Sequence, residues 1–303
     1  MIKLKKINDG FLMIVSYKEG KSNNISIPNE ANGKQIRHIG MQSFEKAKIR
    51  RIVLNKYIED IGSFAFKDSL IREIVLCESL KSIRDKVFHN CYYLSKIILP
   101  SSLTKLGVGC FISCISLKKI NIPQLITYIS EQCFYDCESL EEVDIQSINI
   151  KSIRRNAFGK CINLKYINLP EGLLEIGSYA FALCESLENI YLPNSLKRIG
   201  RGIFDGCKQL RNITIPSGIT YIPDNSFRNC INLENITIPN TVVRIGARAF
   251  SNCKQLKKVY IPSSVKYLGK DLFNDCNITI ICEKNSAIHE YAKIKKIKCE
   301  FIN

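Results

Sequence analysis

Fourteen cysteines and three histidines are the side chains of this 303-residue chain with the most evident capacity for chemistry. Four thiolates can bind zinc, and Cys110-x-x-x-Cys114 with Cys133-x-x-x-Cys137 would supply four if the fold placed the two pairs side by side. The spacing argues for a plainer role. Cys91, Cys114, Cys137, Cys161, Cys184, Cys207, Cys230, Cys253 and Cys276 each fall three residues after a phenylalanine. Cys110 and Cys133 occupy a slot held elsewhere by Ala157, Ala180 and Ala249. A slot that alternates between Ala and Cys is a small apolar core position. Neither a metal nor a cofactor is therefore expected. Disulfides between successive repeats are not expected either, because the thiols would sit near or beyond the ~7 Å Cα limit. An unpaired series of thiols fits a reducing compartment. Cys282 and Cys299 lie outside the main series, and a bridge between them near the C-terminus stays open.

His38, His89 and His289 are in three distant stretches, so no two of them can form a triad or a two-histidine metal site. The sixteen glycines punctuate turns and form no phosphate-binding loop. Glu141, Glu142 and Asp144 make an acidic cluster without a histidine partner, which reads as solvated surface. No residue pattern argues for an enzyme.

The elements that position these residues follow from one periodicity. Phe44, Phe66, Phe88, Phe111, Phe134, Phe158, Phe181, Phe204, Phe227, Phe250 and Phe273 recur every 22–24 residues, each five after an Ile or Leu. Such regularity belongs to a stack of near-identical coils, in which each coil hands the same apolar surface to the next. Within one coil, Leu187, Ile190 and Leu192 form an L-x-x-I-x-L frame. Its final alternation predicts a short strand, ended by Pro193. Gly follows the Ile or Leu in seven of eleven coils and marks a turn. The Phe then fills the wide outer part of the core. The prediction is one right-handed solenoid with a parallel β-sheet on its concave face and short irregular or helical arcs on its convex face. Twelve coils at about 4.8 Å each would span roughly 55 Å. Residues 1–38 read as an N-terminal cap with a half repeat, residues 39–276 as about eleven repeats, and residues 277–303 as a C-terminal cap with a helix over 287–297. Polar ends of this kind cover the exposed core of a solenoid.

The hydrophobic fraction of 46% suffices for a continuous core. A net charge of +16 raises the question of a polyanionic partner, although the charge is spread along the chain. The apolar run at residues 11–15 is too short for the usual ~7–15-residue secretory core. No stretch approaches the ~18 apolar residues of a membrane span, so no membrane insertion is expected.

The unit L-x-x-I-x-I-P-x-x-hydrophobic-x-x-I-G-x-x-A-F-x-x-C-x-x-L, seen at Leu233, Ile236, Ile238, Pro239, Val242, Ile245, Gly246, Ala249, Phe250, Cys253 and Leu256, resembles the BspA-like leucine-rich repeat over residues 25–282. That resemblance implies a binding role without enzymatic activity, adhesion to proteins, and a cell-surface or secreted location. Composition alone, being thiol-rich, suggests the cytoplasm instead. The resemblance carries over no functional residues, because every matching position is structural.

A ligand would meet the outward strand positions. Arg50, Arg51, Arg72, Lys96, Lys118 and Lys119 form a basic first third with exposed Val75 and Ile98. Glu141, Glu142 and Asp144 are acidic, and Tyr166, Tyr191 and Tyr260 follow among Asn and Thr. Acidic residues midway would repel phosphates, whereas a protein partner can use alternating charge to set register. The tyrosines suit interface hot spots, although strands favour tyrosine in any case. The reading favours a non-enzymatic scaffold that recognises a protein. The alternative is an acidic glycan or nucleic acid held by the basic N-terminal patch. A second row, Tyr128, Tyr221 and Tyr267, is expected to flank the same face.

Overall fold

The computed structural model describes residues 1–7, 9–20 and 22–302. The coils gather into two compact units, Met1–Ile150 and Lys151–Asn303. Both are built from the same coil, which has three stations.

The first station is the L-x-x-I-x-I frame. In the N-terminal unit Arg51–Val53 pairs in parallel with Asn24–Ser26 on one side and Glu73–Val75 on the other. In the C-terminal unit Asn212–Thr214 pairs with Asn235–Thr237. The central Ile of each strand is buried and its neighbours face out. This ladder is not continuous. The amide of Asn121 donates to the Leu99 carbonyl at 2.8 Å and accepts from the Leu99 N–H at 2.9 Å, so a side chain stands where a backbone pair would be. Around Ile190 the predicted strand reduces to a single bridge, Asn189 to Asn212.

The second station is a ladder that the sequence pattern did not separate from the first. Its strands are two residues long in most coils and end on the Ile or Leu before the turn, which begins with glycine in most coils: Asp60–Ile61, Ser82–Ile83 and Lys105–Leu106 in one unit, Glu175–Ile176, Arg198–Ile199, Tyr221–Ile222, Arg244–Ile245 and Tyr267–Leu268 in the other. Each buries one apolar side chain, so alternation has too little length to register as a strand. Glycine follows because the coils approach closely there. A Cβ on Gly200 would lie 2.2 Å from the Ser178 nitrogen.

The third station is the phenylalanine arc. It is not helical. The residues two before and two after each Phe have positive φ, as at Phe64 (59°) and Asp68 (57°), or Tyr179 (58°) and Leu183 (60°). Left-handed backbone costs a non-glycine residue roughly 1–2 kcal/mol. Full hydrogen bonding offsets it. The N–H groups of Phe64, Phe66 and Asp68 donate to the carbonyls of Asp85, Val87 and His89 one coil on. The N–H groups between them close turns within their own coil, Ala65 to Gly62, Lys67 to Phe64 and Ser69 to Phe66. Every backbone donor of this buried arc thus has a partner.

Inside the arcs the rings form a column. Successive Phe centroids are 5.1–5.5 Å apart from Phe44 to Phe134 and 5.4–5.8 Å apart from Phe158 to Phe273. Burying each ring stabilises the stack by about 1.5–3 kcal/mol. The cysteine column lies beside it, and its chemistry is now specific. The Cys91 thiol donates to the Phe66 carbonyl at 3.0 Å, Cys114 to Phe88, Cys184 to Phe158 and Cys230 to Phe204, each one coil back. That carbonyl already accepts the N–H three residues on in its own coil, as Phe88 accepts from Cys91. Cysteine is small enough for the slot and brings a weak donor for the carbonyl's second lone pair.

The ends close differently. Ile2–Lys6 and Leu12–Tyr17 form an antiparallel hairpin, and the latter extends the second ladder by pairing in parallel with Lys34–Ile39. Tyr17 stacks on Phe44 at 5.3 Å, which begins the ring column with a tyrosine outside the phenylalanine period. At the other end Thr279–Cys282 and Lys298–Phe301 extend the first ladder. The helix Ala287–Lys295 between them is capped by the Ser286 side chain and stops where Lys296 turns left-handed. Its Tyr291 hydroxyl accepts from the Leu272 N–H at 3.0 Å, beside the last ring.

Candidate protein-binding face

The first ladder places nine of the expected site residues in the N-terminal unit and three in the C-terminal one. In the N-terminal unit the parallel register sets Arg51 beside Glu73, and Glu73 bridges to Lys96. Glu73 accepts from Arg51 at 3.2 Å and from Lys96 at 3.1 Å. Its hydrogen bond from Lys96 is the main cause holding its carboxyl below the usual range, with Arg51 adding to it. Lys119 pairs with Glu142 at 2.6 Å on adjacent strands, in the register that also sets Asn121 beside Asp144. The Arg72 guanidinium lies 5.8 Å from the Tyr93 ring. Arg50, Lys118, Glu141 and Asp144 are exposed. The basic third and the acidic cluster of the sequence are therefore interlocked through charge pairs one repeat apart. Exposed pairs of this kind contribute little stability. They hold the long side chains in place and leave a face of mixed sign.

An apolar depression breaks this charged surface. Glu73, Val75, Glu78, Lys96, Ile98 and Pro100 line a cavity of about 320 Å³, and Ile98 is 70% exposed beside it. In the C-terminal unit Tyr191 and Tyr166 are 60% and 53% exposed. Asn194 donates to the Tyr191 hydroxyl at 3.4 Å, and Asn235 donates to Asn212 at 2.8 Å along the ladder. Tyr260 is half-buried in its strand. Tyr128, Tyr221 and Tyr267 stand in the second ladder, because they precede the buried residue before the turn and not the I-x-I frame.

Among the described residues no group of three or more His, Cys, Asp or Glu is placed to hold an ion. Burial pushes Cys110 and Cys114 well above the usual thiol range, so both stay protonated donors. Burial pushes Cys91 up to about 12. Cys282 and Cys299 are free thiols, with Cys299 beside Ile280 and Cys282 beside Phe301 in register. His89 is half-buried with Nδ1 unpartnered, and burial lowers its pKa. His289 accepts from the Asn285 N–H and meets the Phe301 ring edge-on. No helix among the described residues is long and apolar enough to cross a membrane.

Stacked coils with a parallel ladder on the I-x-I frame and a phenylalanine arc opposite define a leucine-rich repeat protein. Residues 16–141, 127–242 and 151–280 match the model of the BspA type leucine rich repeat region in six copies, and the chain belongs to that family. Three solved structures share the fold. A leucine rich cell surface protein from Faecalibacterium prausnitzii is 23% identical, with a TM-score of 0.54, covering 96% of this chain and 95% of that one. A leucine-rich repeat protein from Bacteroides ovatus is 24% identical, with a TM-score of 0.57, covering 100% and 98%. The pneumococcal vaccine antigen PcpA is 18% identical, with a TM-score of 0.59, covering 93% and 79%. No curated protein matches the chain.

Proposed function

We propose that this chain is a non-enzymatic scaffold that recognises another protein through the outward face of its first ladder, displayed at a cell surface. The observation that carries the reading is Ile98, 70% exposed over an apolar depression and ringed by the Arg51–Glu73–Lys96 pairs. A buried apolar anchor inside a polar rim is the anatomy of a protein interface. Membership of the BspA type family supports the same reading. The paired state of Arg51, Lys96 and Lys119 weighs against a phosphate track through this patch, since their charge is already answered by Glu73 and Glu142.

The test is capture of a partner from host-cell extracts, followed by titration of that purified partner against wild type and Ile98→Asp. Loss of a central anchor should weaken binding by at least about thirtyfold, corresponding to a hot-spot cost of ~2 kcal/mol. An unchanged affinity for Ile98→Asp, with binding abolished instead by changes on another surface, would refute this face.

A further inference from the structure

The chain's positive charge has a location that the first ladder does not account for. Residues 151–303 hold 23 Lys and Arg against 12 Asp and Glu, or +11 of the total +16. On the first ladder of this unit charges answer one another, with Arg211 on Glu234 and Lys258 on Glu300. The second ladder is different. The coil around Ile153 carries Lys151 and Arg155 on either side of its strand, that around Ile199 carries Lys197 and Arg201, and that around Leu268 carries Lys266 and Lys270. All six are exposed, and among the described residues no carboxylate forms a salt bridge with any of them.

The centre of the ladder continues the theme. Its outward column runs Glu175, Arg198 in register, then Tyr221, Arg244, Tyr267 in register. Arg198 pairs with Glu175 at 2.9 Å. Arg244 is exposed, with its guanidinium 5.7 Å from the Tyr221 ring and 5.2 Å from the Tyr267 ring. Two rings hold one cation between them and leave its fork of donors to solvent. Asp224, the other acid here, accepts from the Ala247 N–H at 2.8 Å and is tied into the turn. A groove of about 360 Å³ runs past Lys197, Arg198 and Tyr221, with Gly177, Gly200 and the Arg198-paired Glu175 also in its lining.

We propose that this second-ladder stripe of the C-terminal unit binds an acidic polysaccharide, with Lys197, Arg201, Arg244 and Lys266 holding its carboxylates or sulfates. Unanswered cations that recur along one ladder, two and three coils apart, match a linear polymer that carries anions at intervals. Guanidinium groups take carboxylate and sulfate as bidentate partners. Single-stranded nucleic acid needs aromatic faces free for base stacking. Here the faces of Tyr221 and Tyr267 are turned to Arg244, which favours the glycan.

The full chain would be titrated by fluorescence anisotropy with labelled heparin, polygalacturonate, neutral dextran and an oligothymidylate of matched charge. Wild type should bind heparin or polygalacturonate at physiological salt, ignore dextran, and lose affinity steeply as salt rises. Whichever of the two binds tighter identifies sulfate or carboxylate as the anion. K197E/R201E/R244E should weaken binding by about a hundredfold. The first-ladder control K96E/K118E/K119E should leave it within about twofold, within ordinary rim-charge effects. K197Q/R201Q, which removes charge without reversing it, should give an intermediate loss with an unchanged melting temperature. Absence of glycan binding, equal losses in both charge-reversal variants, or tighter binding to oligothymidylate than to either glycan would each overturn the proposal.

Discussion

Phe204→Ala tests the ring column from within the C-terminal unit. Phe204 has no exposed surface and stacks on Phe181 at 5.8 Å and Phe227 at 5.7 Å. Phe→Ala in a core costs about 3–5 kcal/mol, with the cost set by how far the site can collapse. Collapse is blocked here. The Phe181 N–H bonds the Ile203 carbonyl at 3.0 Å and the Phe204 N–H bonds the Ser226 carbonyl at 2.9 Å, so backbone on both sides fixes the coil spacing. Two ring–ring contacts are lost as well. The expected cost is therefore at the upper end, about 4–5 kcal/mol. In a nearest-neighbour stack this loss is felt first by the coils that touch it. Hydrogen exchange should show the amides of the Phe181, Phe204 and Phe227 coils losing protection well before those of Phe158 or Phe250. A cost below about 2 kcal/mol, or an even loss of protection across residues 151–303, would refute the argument that fixed coil spacing holds the cavity open.

Three further outcomes follow from the same coil. Native protein should expose at most Cys77, Cys276 and Cys299 to a thiol reagent at neutral pH, with the eleven buried thiols reacting only on unfolding; fast labelling of Cys184 would contradict the packing. The thiol column should also make the fold alkali-sensitive. Cys91 would ionise near 9 in the unfolded chain but keeps its proton to about 12 when folded, so the native state binds more protons between those values. Its contribution is fully present below pH 9 and is lost as pH climbs towards 12, at about 1.4 kcal/mol per pH unit; melting temperatures from pH 8 to 11 would show a flat profile if the thiols were not buried as described. On the outer arc Arg228 donates to Asp205 at 2.6 Å, but their burial is unequal, with side-chain exposures of 40% and 9%. Arg228→Ala leaves the buried carboxylate with the Asn229 amide but no cation and should cost about 2–3 kcal/mol, whereas Asp205→Ala leaves a cation that can reach water and should cost about half that; equal costs in denaturant melts would discount the asymmetry.

Much of the coil was legible because its core is read one repeat at a time. The phenylalanine interval gives the ring column, and the exchange of Ala180 for Cys133 identifies a small core slot that the structure buries. The pattern was silent where partners lie a full repeat away. Lys119 and Glu142, or Arg51 and Glu73, are 23 and 22 residues apart. Opposite charges aligned by period would have revealed them, which a reading along each strand does not. The second ladder escaped because Arg198–Ile199 buries one side chain and shows no alternation. The left-handed positions escaped for a different reason. Phe64, Tyr179 and Leu183 have no preference for positive φ, and the bonds to the following coil impose it. Tyr17 escaped because it joins the column from a hairpin, 27 residues before Phe44. The stripe proposed for a glycan is likewise visible only when Lys197 and Arg201 are seen to flank one strand.

The bonding of the phenylalanine arc bears on how such a chain changes over generations. Where a coil of the same unit follows, the N–H groups at the Phe and two residues to either side meet it at the same three carbonyl positions, whatever the side chains, as Phe66 meets Val87 and Phe227 meets Ala249. An additional coil of the same length, duplicated within the gene, would find ready partners both before and behind it. Copy number is thus free to drift without a new fold being invented, while the outward residues of each copy diverge into separate recognition surfaces.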